Sequence, residues 1–217
     1  MFLPPEKLRG QLTNDMPARQ MVEELAKLDI PISDRTLDVI LLRESNDTKL
    51  FPRYPGDSKI FDLMVFEGMG QYDEDTGVWT PSTSGLYWFS LAFEDTYSCY
   101  TDFLTGVDAM DEGLTFSGIS EDNIWAKLDG ERTVTLAFDY RGQSHSITAE
   151  DNGEYFDGFV LFELGKILNQ DDDPSNLWYT VDNQGVLMYY GTAEETAELE
   201  RKTGLSFLDP LENRLYS

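Results

Sequence analysis

The sequence predicts an α+β fold: an antiparallel sheet built from hairpins, packed against several helices, with a helical region at the N-terminus. Three observations carry this. Apolar residues at helical spacing fill the early part of the chain. Two later segments, residues 133–150 and 177–190, alternate in the strand period about short turns. A strand–strand–helix order then occurs twice, at residues 133–168 and 177–203.

Met21, Val22, Leu25 and Leu28 share one helix face, with Pro17 at the first turn and Pro31 beyond the end. Ser33 is a good N-cap for a second helix through Leu37, Ile40 and Leu41. Residues 52–56, Pro-Arg-Tyr-Pro-Gly, form a turn or linker. This gives a helical region over residues 1–51 and an α+β domain over 57–217, or one single domain if the linker is only a turn. Ile60, Leu63, Met64 and Val65 predict another helix, closed by Gly68 and Gly70.

Beyond Pro81 the period changes to that of a strand, with Tyr87, Phe89, Leu91 and Phe93 alternating. Thr96 can cap a helix carrying Tyr97, Tyr100, Leu104 and Val107, and residues 114–119 read as a further strand.

The most sharply specified element is the hairpin over residues 133–150. With Arg141-Gly142 as a two-residue loop, Phe138 faces His145, Leu136 faces Ile147 and Val134 faces Ala149, all on one side. The other side pairs Thr135 with Thr148 and Asp139 with Ser144. One register therefore sorts both strands. A helix follows over residues 156–168, and Asp171, Asp172, Asp173 and Pro174 make a solvated break. The second hairpin turns at Asn183-Gln184-Gly185. Thr192 and Glu195 then form a capping-box signature, and Gly204 stops the last helix.

Charge narrows the function. The chain carries 16 basic and 41 acidic residues, a net charge of −25, which repels phosphate backbones and anionic lipid. Nucleic-acid and membrane partners are therefore excluded, and a basic protein partner is favoured. The asymmetry is concentrated: residues 60–126 hold 13 Asp and Glu and no Lys or Arg, so local ion pairs cannot neutralise them. An aromatic content of 13% supplies core material that a disordered acidic tail lacks. The single cysteine, Cys99, permits no internal disulfide, and the first residues lack the apolar run of a signal peptide. A cytoplasmic location is the expectation.

No motif names a chemistry. His145 is the single histidine, and its register opposite Phe138 predicts a structural role at the core or its edge. A Cys99–His145 dyad lacks any flanking signature or neighbouring cation to activate the thiol. Asp73, Asp75 and Gly77 resemble the start of a calcium loop, but the sixth position is Val78 and the twelfth is Ser84. Gly68 and Gly70 do not open a dinucleotide loop, and no Walker motif occurs. No catalytic residue, metal or cofactor is expected.

In size, charge and composition the chain resembles small acidic bacterial immunity proteins. That resemblance implies a non-enzymatic inhibitor that neutralises a cationic toxin, such as a nuclease, by occluding its basic surface. The expected contact residues are Asp73, Glu74, Asp75, Asp108, Asp111 and Glu112, which lie in loops or helix ends with no basic neighbour in sequence. Trp178 and Tyr179 join them as aromatic anchors, should the second hairpin expose them. The alternatives are a carboxylate-based enzyme or an interaction domain of a larger protein.

Overall fold

The apolar periods of the sequence become helices wherever a cap starts them. In the computed structural model, which describes residues 12–46, 58–92, 99–125, 132–150, 155–169, 174–181, 185–213 and 215, α1 (Ala18–Ala26) follows Pro17 and buries Met21 and Leu25. Leu28 lies beyond its end, where Asp29 takes a φ of 57° and the Ile30 amide donates back to the Leu25 carbonyl at 3.1 Å. Ser33 starts α2 (Asp34–Asn46), its hydroxyl accepting from the Thr36 amide at 3.3 Å. Ser58 caps α3 (Lys59–Gly68), which buries Ile60, Leu63 and Met64.

A short antiparallel hairpin follows, β1 (Gln71–Asp73) and β2 (Val78–Thr80), where the sequence reading places no strand. The chain continues through β3 (Leu86–Ser90), α4 (Cys99–Asp108), β4 (Phe116–Trp125), β5 (Arg132–Tyr140) and β6 (Gln143–Glu150). It ends with α5 (Gly158–Leu168), β7 (Ser175–Val181), β8 (Gly185–Thr192) and α6 (Ala193–Thr203). These are six helices and three antiparallel sheets among the described residues, an α+β architecture with a helical N-terminal region.

The hairpins divide between two of the sheets. One has the order β4–β5–β6, the other β3–β8–β7. The β5–β6 pairing is the one the alternation predicts: Phe138↔His145, Leu136↔Ile147, Val134↔Ala149, Thr135↔Thr148 and Asp139↔Ser144. Its loop residues Arg141 and Gly142 have φ of 48° and 75°, the left-handed pair that a type I′ turn requires. On the solvent side, the Ser144 hydroxyl donates to Asp139 Oδ1 at 2.6 Å.

The β3–β8–β7 sheet is covered on both faces. On one face Tyr87, Phe89, Leu177, Tyr179, Val186 and Met188 join a core with α4, α5 and the inner face of β4–β5–β6. On the other, Leu86, Leu187 and Tyr189 meet α1, α2, α3 and α6 in a second core. Alternation along β3 thus sends successive apolar side chains into different cores. The N-terminal helices share their core with β3, β8 and α6, so residues 12–46 have no separate interior. The linker at residues 52–56 lies outside the described residues, as do Phe93, Thr96, Tyr97, Asp171, Asp172, Asp173, Asn183 and Gln184. Gly185 begins β8.

Three details position the site. Phe156 stands before α5 and packs into an aromatic cluster with Phe89 and Phe103, ring centroids 4.7 and 5.0 Å away. Asp157 caps α5 by accepting from the Phe159 amide at 2.9 Å. Gly106 lets α4 approach β3 closely: a Cβ there would meet the Tyr87 ring at 2.3 Å.

Candidate partner-binding surface

The β1–β2 hairpin presents the acidic turn. Asp73 Oδ1 accepts from the amides of Asp75 at 2.9 Å and Thr76 at 3.2 Å, and these bonds hold its carboxyl below the ordinary aspartate range. Gly77 closes the turn at a φ of 69°, its amide donating to the Asp73 carbonyl at 2.8 Å. Asp73, Glu74 and Asp75 are all exposed. Beside them stand large apolar side chains open to solvent: Tyr72 is 58%, Val78 55% and Met69 40% exposed. Acids and apolar surface therefore share one element, the mixture that partner-binding surfaces carry.

Trp79 anchors this hairpin to the body. Its indole N–H donates to the Met69 carbonyl at 2.9 Å, and its ring centroid lies 6.0 Å from that of Tyr87. A groove of about 220 Å³ opens here, lined by Met69, Trp79, Tyr87, Trp88, Phe89, Ser90 and Asp102. That is smaller than the roughly 300–1,000 Å³ of ordinary small-molecule pockets. Tyr87 and Phe89 point to one face of β3 and Trp88 to the other. β8 takes one edge of β3, and the end of α3 packs on the β3 backbone, where a Cβ at Gly68 would meet the Trp88 amide nitrogen at 2.9 Å.

The remaining acids behave differently. Asp108, at the end of α4, is half-buried and accepts from the Phe116 amide at 2.6 Å, which fastens α4 to the start of β4. Asp111 and Glu112 are exposed in the α4–β4 connection, where Asp111 Oδ1 accepts from the Gly113 amide at 2.7 Å. These three lie on a different element from the acidic turn. Among the described residues, no Lys or Arg lies within ion-pair distance of Asp73, Glu74, Asp75, Asp102, Asp111 or Glu112.

The aromatic anchors are not as expected. Tyr179 is only 1% exposed, and its hydroxyl donates to the Asn213 carbonyl at 2.8 Å. Trp178 packs against the second core, and its indole donates to the Gly191 carbonyl at 2.9 Å. Because both faces of this sheet are covered, Tyr179 is core and cannot meet a partner. Beside the acidic turn Tyr72 is exposed and Trp79 half-buried, and elsewhere Tyr155 and Phe159 are exposed. Tyr72 and Trp79 flank the acidic run in sequence, but pair only once the turn is recognised as a hairpin.

One acid that sequence reasoning missed organises the base of α4. Glu121 Oε2, on β4, accepts from the amides of Tyr100 at 3.0 Å and Thr101 at 3.1 Å, and from the Thr101 hydroxyl at 3.4 Å. Burial outweighs these bonds and raises its carboxyl above the ordinary glutamate range. Nothing in the linear pattern ties Glu121 to Tyr100, since the link crosses from strand to helix. Nearby, burial and then the Glu121 carboxylate push the Cys99 thiol up to about 12, so it is a poor thiolate nucleophile. His145 is half-buried on β6 and stacks on Phe138 with ring centroids 5.5 Å apart, a core-edge position.

No protein-family model, curated protein or solved structure matches this chain. No helix among the described residues is long and apolar enough to cross a membrane.

Proposed function

We propose that this chain is a non-enzymatic binding protein whose acidic surface receives a basic protein. In its most specific form it is an inhibitor of the immunity type, occluding the basic surface of a cationic toxin such as a nuclease. The observation that carries the reading is the set of exposed carboxylates at Asp73, Glu74, Asp75, Asp111 and Glu112, none with a Lys or Arg in ion-pair range among the described residues. Unpaired like charges repel and weaken the compact state, whereas a basic partner turns them into attraction that speeds encounter. The exposed Tyr72 and Val78 beside the turn supply apolar contact that charge alone lacks.

Affinity capture from the native host, followed by association kinetics with the captured protein, tests this. The partner should be basic, and association should slow as salt rises. Substituting Asp73→Asn, Glu74→Gln and Asp75→Asn together should lower the association rate more than it raises the dissociation rate. Acidic partners, or association indifferent to salt, would overturn the reading and leave the charge as a device for solubility.

A further inference from the structure

We propose that the outer edge of β6 pairs with the β6 of a second copy of this chain, antiparallel about a two-fold axis at Ser146, so that the β4–β5–β6 sheets of both copies merge into one. The acidic turn belongs to a different sheet, so a second copy and a basic partner engage different elements and neither reading depends on the other.

The hairpin geometry decides which backbone groups face outward. Arg141 and Gly142 form a two-residue loop, so Tyr140 and Gln143 exchange hydrogen bonds, as do Phe138 with His145 and Leu136 with Ile147. The intervening residues Ser144, Ser146, Thr148 and Glu150 therefore turn their N–H and C=O groups away from β5. The Glu150 amide follows this rule, donating outward to Asp157 Oδ2 at 2.8 Å. The amides of Ser144, Ser146 and Thr148 meet no acceptor among the described residues, and all three side chains are exposed. They form a continuous run of open pairing sites, ended by the N-cap of α5.

This edge is also undefended. Edge strands are kept from pairing by Lys, Pro, a bulge or repelling charge. Residues 143–149 carry no Asp, Glu, Lys, Arg or Pro, and the register with β5 runs without a break. By contrast β4, at the other edge of this sheet, carries Glu121 and Asp122 and a bulge between Ser117 and Ser120. In the other large sheet, Tyr179 on the edge strand β7 pairs with Leu208.

A second copy is the occupant that suits this strand. Two chains of net charge −25 repel least where their surfaces meet without charge, and a basic partner finds no carboxylate on residues 143–149 to attract it. Pairing about Ser146 sets Ser146 against Ser146 and Ser144 against Thr148 of the second copy, hydroxyl to hydroxyl. The Ser144 hydroxyl donates to Asp139 Oδ1 at 2.6 Å and keeps its lone pairs to accept from that threonine. The same register brings the exposed Arg141 of each copy to the Glu150 end of the other, so unlike charges meet twice. Asp157 Oδ1 accepts from the Phe159 amide while Oδ2 accepts from Glu150, which places Phe159, 42% exposed, at that end of β6. With Tyr155, 62% exposed, it supplies apolar contact that a short polar strand lacks.

Sedimentation equilibrium of the full chain over a range of concentrations tests this. Dimers should form, and should tighten as salt rises, because screening relieves the repulsion between two acidic chains. Ser146→Pro removes the central outward amide from both copies and should weaken dimerisation about tenfold. Ser146→Lys sets like charges across the axis and should also weaken it, even though it lowers the net negative charge. Ser120→Lys, on the same face but on β4, should leave it unchanged. Circular dichroism spectra matching the parent's exclude unfolding as the cause. Hydrogen exchange at the amides of Ser144, Ser146 and Thr148 should slow as concentration rises. A chain that stays monomeric at every concentration and salt overturns the proposal. So does a dimer that Ser146→Lys leaves intact, that Ser120→Lys dissociates as readily, or that leaves exchange at those three amides unchanged.

Discussion

Replacing Glu121 should separate its hydrogen bonds from its charge. The first amides of an α-helix have no partner within the helix, and here a strand residue supplies it. Glu121→Ala removes the acceptor from the Tyr100 and Thr101 amides and the Thr101 hydroxyl. Loss of an N-cap costs about 0.5–2 kcal/mol, and leaving half-buried amides without a partner adds to it, so a destabilisation of about 2–3 kcal/mol is expected. Glu121→Gln keeps an acceptor oxygen at the same place and removes the charge. At neutral pH it should lie within about 1 kcal/mol of the parent.

The pH dependence gives the sharper contrast. Burial, reinforced by Asp102, raises the Glu121 pKa, while the bonds from Thr101 and Tyr100 oppose it, and the net direction is up. The folded state therefore holds this proton to higher pH than the unfolded chain. Its contribution to stability is complete below the unfolded value, about 4.3, and declines as pH rises through the folded value. Glutamine does not ionise, so the stability of Glu121→Gln relative to the parent should rise from pH 4 toward pH 7. Urea unfolding followed by circular dichroism at several pH values measures this. A relative stability that is flat or falls with pH would refute the burial argument, and an alanine variant as stable as the parent would refute the capping argument.

Gly106→Ala should destabilise by about 1–3 kcal/mol, read as a lower melting temperature, because the new methyl overlaps the buried Tyr87 ring. Glu67→Ala should cost about 2–3 kcal/mol in urea unfolding, since Glu67 accepts from both the amide and hydroxyl of Ser33 at 2.8 Å and from Ser82 at 3.3 Å, tying α2 to the β2–β3 connection. His145→Ala should cost no more than about 1.5 kcal/mol, the value of a stacked edge contact, and leave partner affinity intact; lost affinity at an unchanged melting temperature would show that His145 binds. Asp73→Asn alone should preserve the hairpin, because an amide oxygen can accept the same two turn bonds; lost dispersion of the Tyr72 and Trp79 signals would contradict this.

Elements that close over a few residues were legible in the sequence alone. The capping box is one: Thr192 accepts from the Glu195 amide at 3.2 Å, the Glu195 side chain returns the bond at 2.8 Å, and Gly204 ends α6 at a φ of 72°. The β5–β6 register is another, because a two-residue turn leaves a single alignment that puts every apolar side chain on one face. The acidic bias of residues 60–126 is read directly from composition. Tertiary structure alone decided the pairing of β3 with β8, which joins Leu86 to Tyr189, far apart in the sequence. Alternation could not reveal that pairing, since a strand covered on both faces has no polar side to mark its orientation. From it follow the burial of Tyr179 and the groove that gathers Trp79, Tyr87 and Asp102. Local rules fix turns, caps and registers because their partners are near in sequence; a surface assembled from a hairpin, a strand and a helix exists only after distant segments have met.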